Sequence, residues 1–313
     1  MENEKVVIFG AGLIGEKVYK ILKEEKKDII MVIDNDRKKI GSLFFEKIPI
    51  IDLLEYKEKY DNKYKIYIAI SSVKAAIRQL NFLGIYNYVE HYSIWETNEV
   101  LKDDDIAHGN WPLYLQQNFN KEGYEVLEIG SRVVTGRNYR NMFNKATYTG
   151  VDIYPGENVD IVYDVHKLSE KLVNKKYDLI YSSAVFEHLA MPWKASMEII
   201  KLLKVGGYVF IETHYSYSSH ERPWHFFQFS ESALEILFPE CFGIECIKKG
   251  CSNLLESYFS EISNNELKGK IAKDMYCHSG FLGKKVREVE NLSWEKIRLE
   301  DVVGDSRYPK IKK

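Results

Sequence analysis

The sequence is short of the features that mark several functional classes. Four cysteines (Cys241, Cys246, Cys251 and Cys277) stand among 313 residues, and no two form a CxxC pair. In a chain of this size that argues against a disulfide framework. No apolar run comes near the ~18 residues that a membrane span requires. The first residues, MENEKVV, pass straight into an apolar strand with no basic segment followed by an apolar one, so no targeting leader is expected. An excess of one charge is also lacking: the formal net charge is −2, which gives nucleic acid no electrostatic footprint. What remains is an ordinary globular balance, 45% hydrophobic and 29% charged, enough to bury a core in about two domains. The expectation is a soluble, cytoplasmic protein.

Residues 5–9 (KVVIF) lead into GAGLIG, with Gly10, Gly12 and Gly15, and then into the helical segment EKVYKILKEE. A second strand, IIMVID, ends on Asp34, nineteen residues after Gly15. Strand, glycine turn, helix, strand and acid in this order suit a nucleotide. The glycines allow a tight turn and close backbone approach, the helix N-terminus attracts a phosphate, and the acid binds ribose hydroxyls. The same turn also serves simply to pack helix on strand over an empty pocket. The pieces KIPIIDLLEY, KYKIYIAISS, VKAAIRQLNFLG and NYVEHYSIW supply two further strands and two helices before about residue 97, one mononucleotide-sized half. No second domain follows that could supply a hydride acceptor.

Residues 98–122 are polar and acidic, then mildly amphipathic, and read as a linker with a leading helix. Trp111 and Leu113 fall there, and burial against the following sheet is the expectation for them. From Tyr124 to His214 apolar, β-branched runs alternate with helical spacing such as MPWKASMEIIKLLK. That alternation implies βαβ units and a parallel sheet covered on both faces, with ligands beyond the carboxyl ends of the strands. Those ends carry Glu128, Gly130, Asp152, Asp164, Ser182, Ser183 and His214.

Over about residues 123–285 the pieces VLEIGSR, GVDIYPG, VYDVHKL, YDLIYSSAVFEHL and IIKLLKVGG running into YVFIETH resemble class I S-adenosylmethionine-dependent methyltransferases of the type 11/23, glycan-cluster kind. The resemblance implies an α/β fold with a mostly parallel seven-stranded sheet and an antiparallel edge strand, GIECIKKG and YCHSGFLGKKVREV being the last two strands. It implies that the loop after the first strand, with Glu128, Gly130, Ser131, Arg132 and Gly136, passes under the methionine part of the cofactor. Asp152, with Ile153 after it, would bind the ribose hydroxyls, and Asp164 with the Val165 amide the adenine edge. Ser182, Ser183 and Glu187 complete the expected cofactor set. Ser131 and Arg132 depart from the family's glycine-rich loop; Arg132 is placed to pair with the cofactor carboxylate or a substrate phosphate, or only to seal the loop. The N-terminal run VIDNDRKKIGSLFFEKIPIIDLLEY, with IAISS and RQLNFLGI, resembles over residues 4–95 the Rossmann-like N-terminal domain of bacterial sugar O-acyltransferases, and a small domain beside some sugar-modifying methyltransferases. That resemblance implies a nucleotide or nucleotide-linked sugar at Gly10, Gly12, Gly15 and Asp34. The domain expectation is 1–97, a linker at 98–122, the methyltransferase at 123–285 and a basic extension at 286–313.

Methyl transfer to a hydroxyl needs a positioned acceptor and a base for its proton, and histidine suits neutral pH. Four of the eight histidines lie at or beyond strand ends: His188, His214, His220 and His225. His188 or His214 is the expected base, and Tyr215, His220, Trp224 and His225 the expected substrate contacts. A zinc site from His214, His220 and His225 has no ligand spacing to support it, so no metal is expected. The loop HYSYSSHERPWHFFQF, before a helix capped by Ser230, mixes aromatic faces with polar tips and suits a sugar ring; the alternative is that its aromatics anchor it in the core. The expected activity is methylation of a sugar hydroxyl, less readily an amine, in bacterial cell-surface or capsular polysaccharide assembly. A homodimer would not be surprising. Redox or epimerase chemistry with NAD in the N-terminal domain, and a non-catalytic nucleotide-binding scaffold, are the alternatives.

Overall fold

The computed structural model describes residues 3–45, 47–89, 100–260, 262–264, 267 and 271–303. The end of NYVEHYSIW, the start of the 98–122 segment and the basic ending RYPKIKK lie outside the described residues. The chain forms two compact units, Met1–Asn98 with Leu255–Met275, and Glu99–Leu254 with Tyr276–Lys313. No helix among the described residues is long and apolar enough to cross a membrane.

In the first unit the elements run β1 (Lys5–Phe9), α1 (Leu13–Glu24), β2 (Asp28–Ile33), β3 (Leu43–Phe44), β4 (Ile48–Ile51), α2 (Leu53–Tyr60), β5 (Lys65–Ile68), α3 (Val73–Phe82) and β6 (Tyr88–Val89). The sheet order is β3-β4-β2-β1-β5-β6, parallel except for β3 against β4. The run KVVIF shows no polar alternation because both of its faces are covered. Val7 and Phe9 pack with Ile33 and with Tyr56, Ala76 and Leu80 of α2 and α3, whereas Val6 and Ile8 pack with Val18 and Leu22 of α1. This corrects the expectation of one mononucleotide-sized half, since five parallel strands are present. More strands follow β2 than the two expected, because some are very short: β3 and β6 have two residues each, too few to show a period. The strand order reverses between β1 and β5, where open α/β sheets take ligands.

The second unit begins with α4 (Trp111–Phe119) and continues through β7 (Glu125–Ile129), β8 (Thr147–Asp152), β9 (Ile161–Val162), α5 (Leu168–Lys171), β10 (Tyr177–Ser183), α6 (Pro192–Leu202), β11 (Leu203–His214) and α7 (Glu231–Leu237). Two long strands end the series, β12 (Ile244–Tyr258) and β13 (Ile271–Lys285). The order β12-β13-β11-β10-β7-β8-β9 has β7 to β11 parallel and β13 antiparallel to β11. It is the mostly parallel seven-stranded sheet of a class I methyltransferase, with the antiparallel strand one place in from the edge. The last strands run on past the expected stretches, and their far ends, 255–275, group with the first unit, where Tyr258 packs against its core.

Alternation predicts a helix in each crossover, but β7 and β8 are joined by a segment with only a 3-10 turn at Arg140–Phe143. Its sequence, SRVVTGRNYR, runs three β-branched residues into a glycine, all poor helix formers. The face such a helix would cover is closed by α4, whose Trp111, Leu115 and Phe119 pack with Phe143, Tyr181 and Phe210. Trp111 is 1% exposed, whereas Leu113 is 58% exposed. The opposite face is covered by α5, α6 and α7, through Leu168, Ile199 and Leu234. Ser230 caps α7 as expected, its side chain accepting from the Ala233 amide at 3.1 Å.

Candidate active site

At the end of β7 the chain turns through Gly130 at φ +78°, and a Cβ there would stand 2.1 Å from Val185 Cγ2. The amides of Gly130 and Ser131 both donate to the Val151 carbonyl, at 2.8 and 3.1 Å, which pins the loop to β8. Asp152, the last residue of β8, accepts the Arg132 amide on Oδ2 at 3.3 Å and the Tyr154 amide on Oδ1 at 2.9 Å. Arg132 Nε lies 3.7 Å from Asp152 Oδ1, and its guanidinium sits 5.5 Å from the Tyr154 ring centroid. Arg132 therefore lies over the acid expected to hold a ribose. Asp164 caps the turn after β9: its Oδ1 accepts from the His166 amide at 3.0 Å and faces His166 Nδ1 at 2.7 Å. Burial pushes the Asp164 carboxyl up, but the amide, the ring and Lys167 outweigh it and hold it below its ordinary value.

These residues fit a polar, hydroxyl-bearing ligand. Ser131 Oγ and Arg132 Nε are buried without a hydrogen-bond partner. Gly136, at φ +80°, has nothing within 4 Å of where a Cβ would stand. Each carboxylate keeps acceptor capacity beyond the bonds it already makes. Ile153 is exposed, whereas the Val165 side chain is buried in the core.

Other expected cofactor residues are engaged inside the sheet. Glu128 Oε2 accepts from the hydroxyl of Tyr148, from that of Tyr181 at 2.8 Å and from Asn158 Nδ2 at 3.4 Å. Burial pushes its carboxyl up, opposed by those three donors. Ser182 donates to the Ile129 carbonyl at 3.1 Å and so stitches β10 to β7. Ser183 donates to Glu212 Oε2 at 2.7 Å, and Glu187 turns toward histidines.

The histidines gather where β10 and β11 end, beside the middle of β13. After β10 the chain passes through Ala184 at φ +53°, a strained conformation for a residue with a Cβ, into the turn Phe186–His188. Glu187 is completely buried: Thr213 donates to its Oε2 at 2.5 Å, and its carbonyl accepts the Phe226 and Phe227 amides at 2.9 and 3.2 Å. His214 Nδ1 lies 2.9 Å from Glu187 Oε1, and His188 Nε2 lies 3.8 Å from it. His220 sits edge-on to His188 and His214, with centroids 4.9 and 5.3 Å away, and 4.6 Å from His225. The four expected histidines thus share one edge.

Sequence reasoning missed a second group beside them. His108 Nδ1 lies 2.7 Å from Glu212 Oε1, and the His278 ring stacks on His108 at 3.7 Å, with centroids 5.5 Å from His214. Burial holds His278 down at about 4. His108 lies in the polar stretch read as linker and His278 in the middle of β13, away from any strand end, so neither carried a sequence signal. Glu212, in ETH, was next to a residue already singled out. Of the aromatic loop, Phe229 is buried and Phe227 packs on the core, while Trp224 and Phe226 are exposed. A pocket of about 220 Å³ is lined by Ser219, His225, Phe226, Phe227 and Gln228. Tyr215 is held by its amide on the Cys277 carbonyl at 2.9 Å.

In the first unit Gly15 and Gly10 are needed for packing. A Cβ on Gly15 would stand 1.9 Å from the Gly10 carbonyl oxygen, and one on Gly10 2.5 Å from that of Ala69. Gly12 faces open space at the start of α1, which has no side-chain cap. Asp34 accepts the Ala11 amide at 2.7 Å and the Asp36 amide at 2.8 Å, and Lys39 Nζ approaches to 3.4 Å.

Residues 107–239 match the family model described as a methyltransferase domain. No curated protein matches the chain. Among solved structures, TehB from Haemophilus influenzae is similar at 19% identity, covering 56% of this chain and 61% of its own, with a TM-score of 0.37. A SAM dependent methyltransferase from Archaeoglobus fulgidus is similar at 18% identity, over 56% of this chain and 93% of its own, with a TM-score of 0.37. The plantazolicin methyltransferase BpumL, in complex with SAH, is similar at 18% identity, over 56% and 81%, with a TM-score of 0.37. The family match thus falls within the second unit, on a sheet whose strand order is that of the class I methyltransferase fold.

Proposed function

We propose that the second unit methylates a hydroxyl of a sugar, free, nucleotide-linked or within a glycan such as a capsular polysaccharide. Asp152, Asp164 and the turn at Gly130 and Gly136 would hold S-adenosylmethionine, with Ser131 and Arg132 closing the loop over it. When bound, S-adenosylmethionine supplies a sulfonium methyl that the acceptor oxygen attacks in line, the carbon–sulfur pair staying on sulfur. The chain's own part is to orient that oxygen and take its proton.

Two carboxylate–histidine pairs stand at this edge, Glu212 with His108 at 2.7 Å and Glu187 with His214 at 2.9 Å. Only the first has hydrogen-bond geometry, and it carries the proposal. An ionised carboxylate accepts only, so His108 Nδ1 bears the proton and Nε2 keeps the lone pair that a general base needs. His188 and His214, the bases expected from sequence, face Glu187 instead. The exposed rings of Trp224 and Phe226, near the 220 Å³ pocket, support a sugar, whose ring stacks on aromatic faces.

The test is methyl transfer from labelled S-adenosylmethionine to a panel of nucleotide sugars and glycans. His108→Ala and Glu212→Gln are expected to lower kcat about 100-fold or more, the usual contribution of a positioned base, with S-adenosylhomocysteine binding retained. Full activity in His108→Ala would remove the base assignment, and transfer only to amines would remove the hydroxyl.

For the first unit, the open approach at Gly12 supports a nucleotide or nucleotide-sugar ligand. Stabilisation by UDP-, GDP-, CDP- or dTDP-sugars would support it. Tight retention of NAD would favour redox or epimerase chemistry, and no ligand at all a scaffold.

A further inference from the structure

The edge that carries His188, His214 and His220 has more nitrogen and oxygen donors than a proton transfer needs. One donor atom from each of Glu187, His188 and His220 lies within 4.8 Å of the others. Their outer hydrogen bonds already leave the right atoms unengaged. His188 Nδ1 is 2.9 Å from the Trp224 carbonyl and His220 Nδ1 is 2.9 Å from the Ser218 carbonyl. A carbonyl only accepts, so both Nδ1 atoms carry the proton and both Nε2 atoms keep a lone pair, the arrangement that orients a ligating histidine. His225 is arranged the other way. Its Nδ1 accepts the His220 amide at 3.2 Å, so its proton sits on Nε2 and it does not ligate.

Glu187 supplies the independent observation. It is completely buried, Thr213 holds Oε2, and Oε1 has no hydrogen-bond partner. His214 Nδ1 comes to 2.9 Å of Oε1 without the angle of a hydrogen bond, and it too lacks a partner. A carboxylate oxygen withdrawn from water, faced only by the misaligned His214 ring, keeps lone pairs that a cation can take. Ligand bonds of ~2.1 Å put neighbouring ligand atoms about 3.0–3.4 Å apart, and Glu187 Oε1 to His188 Nε2, at 3.8 Å, needs only a small contraction.

We propose that Glu187 Oε1, His188 Nε2 and His220 Nε2 hold a divalent transition-metal ion, with a position left for an acceptor oxygen. Two imidazoles and one carboxylate suit zinc or another imidazole-seeking ion over magnesium or calcium. The His108–Glu212–His278 group is the competing set, but there Glu212 is already hydrogen-bonded on both oxygens, by Ser183 and His108. The existence of the ion does not depend on the proposed reaction; its task there, to orient a substrate oxygen, rests on that reading.

The test is titration of chelator-treated full-length protein with Zn²⁺ by calorimetry, with Co²⁺ absorption as a second readout of imidazole ligation. One equivalent should bind. His220→Ala, on a half-exposed loop residue that leaves the core intact, should weaken binding at least tenfold, as should Glu187→Gln if it folds. His278→Ala should leave the affinity within about twofold. No stoichiometric binding, or loss in His278→Ala with none in His220→Ala, would overturn the assignment. Zinc bound at this site with no methyl transfer to any hydroxyl would leave the ion in place and remove only the proposed reaction.

Discussion

Replacing Gly130 by alanine makes two separable demands on the structure. The backbone must keep φ +78°, which costs an L-residue about 1–2 kcal/mol. The new methyl must also fit where Val185 Cγ2 stands 2.1 Å away, and crowding of that kind costs about 1–3 kcal/mol. The sum, about 2–5 kcal/mol, would lower the unfolding midpoint of a unit this size by about 4–20 °C. Val185→Ala removes the methyl that clashes and leaves the dihedral cost. In a double-mutant cycle read by denaturant unfolding, the pair should therefore couple favourably by about 1–3 kcal/mol, with the dihedral cost still missing from the double variant. S-adenosylhomocysteine affinity, measured on the same proteins, should fall in Gly130→Ala and partly recover in the double variant, because the turn forms the floor of the loop. Additive effects would refute the steric argument. A cost below about 1 kcal/mol for the single variant would refute the dihedral as well.

Three further outcomes are expected. Asp152→Asn, which keeps the shape and one acceptor oxygen, should weaken S-adenosylhomocysteine by about 10–100-fold, the worth of one or two hydrogen bonds to a charged group, and unchanged calorimetric affinity would move the ribose elsewhere. Trp111→Ala should destabilise the second unit by about 3–5 kcal/mol in urea melts, since the ring is 1% exposed and, among the described residues, no other helix covers that face of the sheet. Glu128 has its carboxyl raised above 4.5 in the fold, so the folded chain holds a proton that the unfolded chain releases. Its contribution to stability is complete below pH 4.5 and is lost as pH rises through the folded value. The stability difference between the wild type and Glu128→Gln should therefore shrink as pH rises from 4.5, and a difference that stays flat would show that Glu128 titrates alike in both states.

The second sheet was legible because its central strands β7, β10 and β11 are largely buried and write themselves as apolar runs ending on turn residues. The first was only partly legible, because β3 and β6 have two residues each and take their stability from neighbours. The missing helix after β7 was hidden by the expectation of regular alternation. The clue was local: Val133, Val134, Thr135 and Gly136 in a row disfavour a helix, and α4 had already taken the place it would fill. For the site, strand ends were readable and side-chain directions were not. Glu128, Ser182 and Ser183 all sit at productive ends, yet each is taken by a hydroxyl, a carbonyl or a carboxylate within the sheet.

The histidines show why the topology decides what the sequence leaves open. His188 follows β10, His214 ends β11, His278 lies on β13 and His108 precedes α4, a span of more than 160 residues with no common spacing. They meet because β10, β11 and β13 are consecutive in the sheet, with His214 paired directly across from His278. Two buried glutamates, 187 and 212, then divide them, one group sharing a hydrogen-bonded carboxylate and the other an oxygen without a donor. On the proposed reading, that difference would separate a proton acceptor from an ion site on one edge. Swapping the roles, through Glu212→Gln and Glu187→Gln, should therefore give different phenotypes: loss of turnover with zinc retained in the first, and loss of zinc in the second. Identical effects on both readouts would show that the two groups act as one.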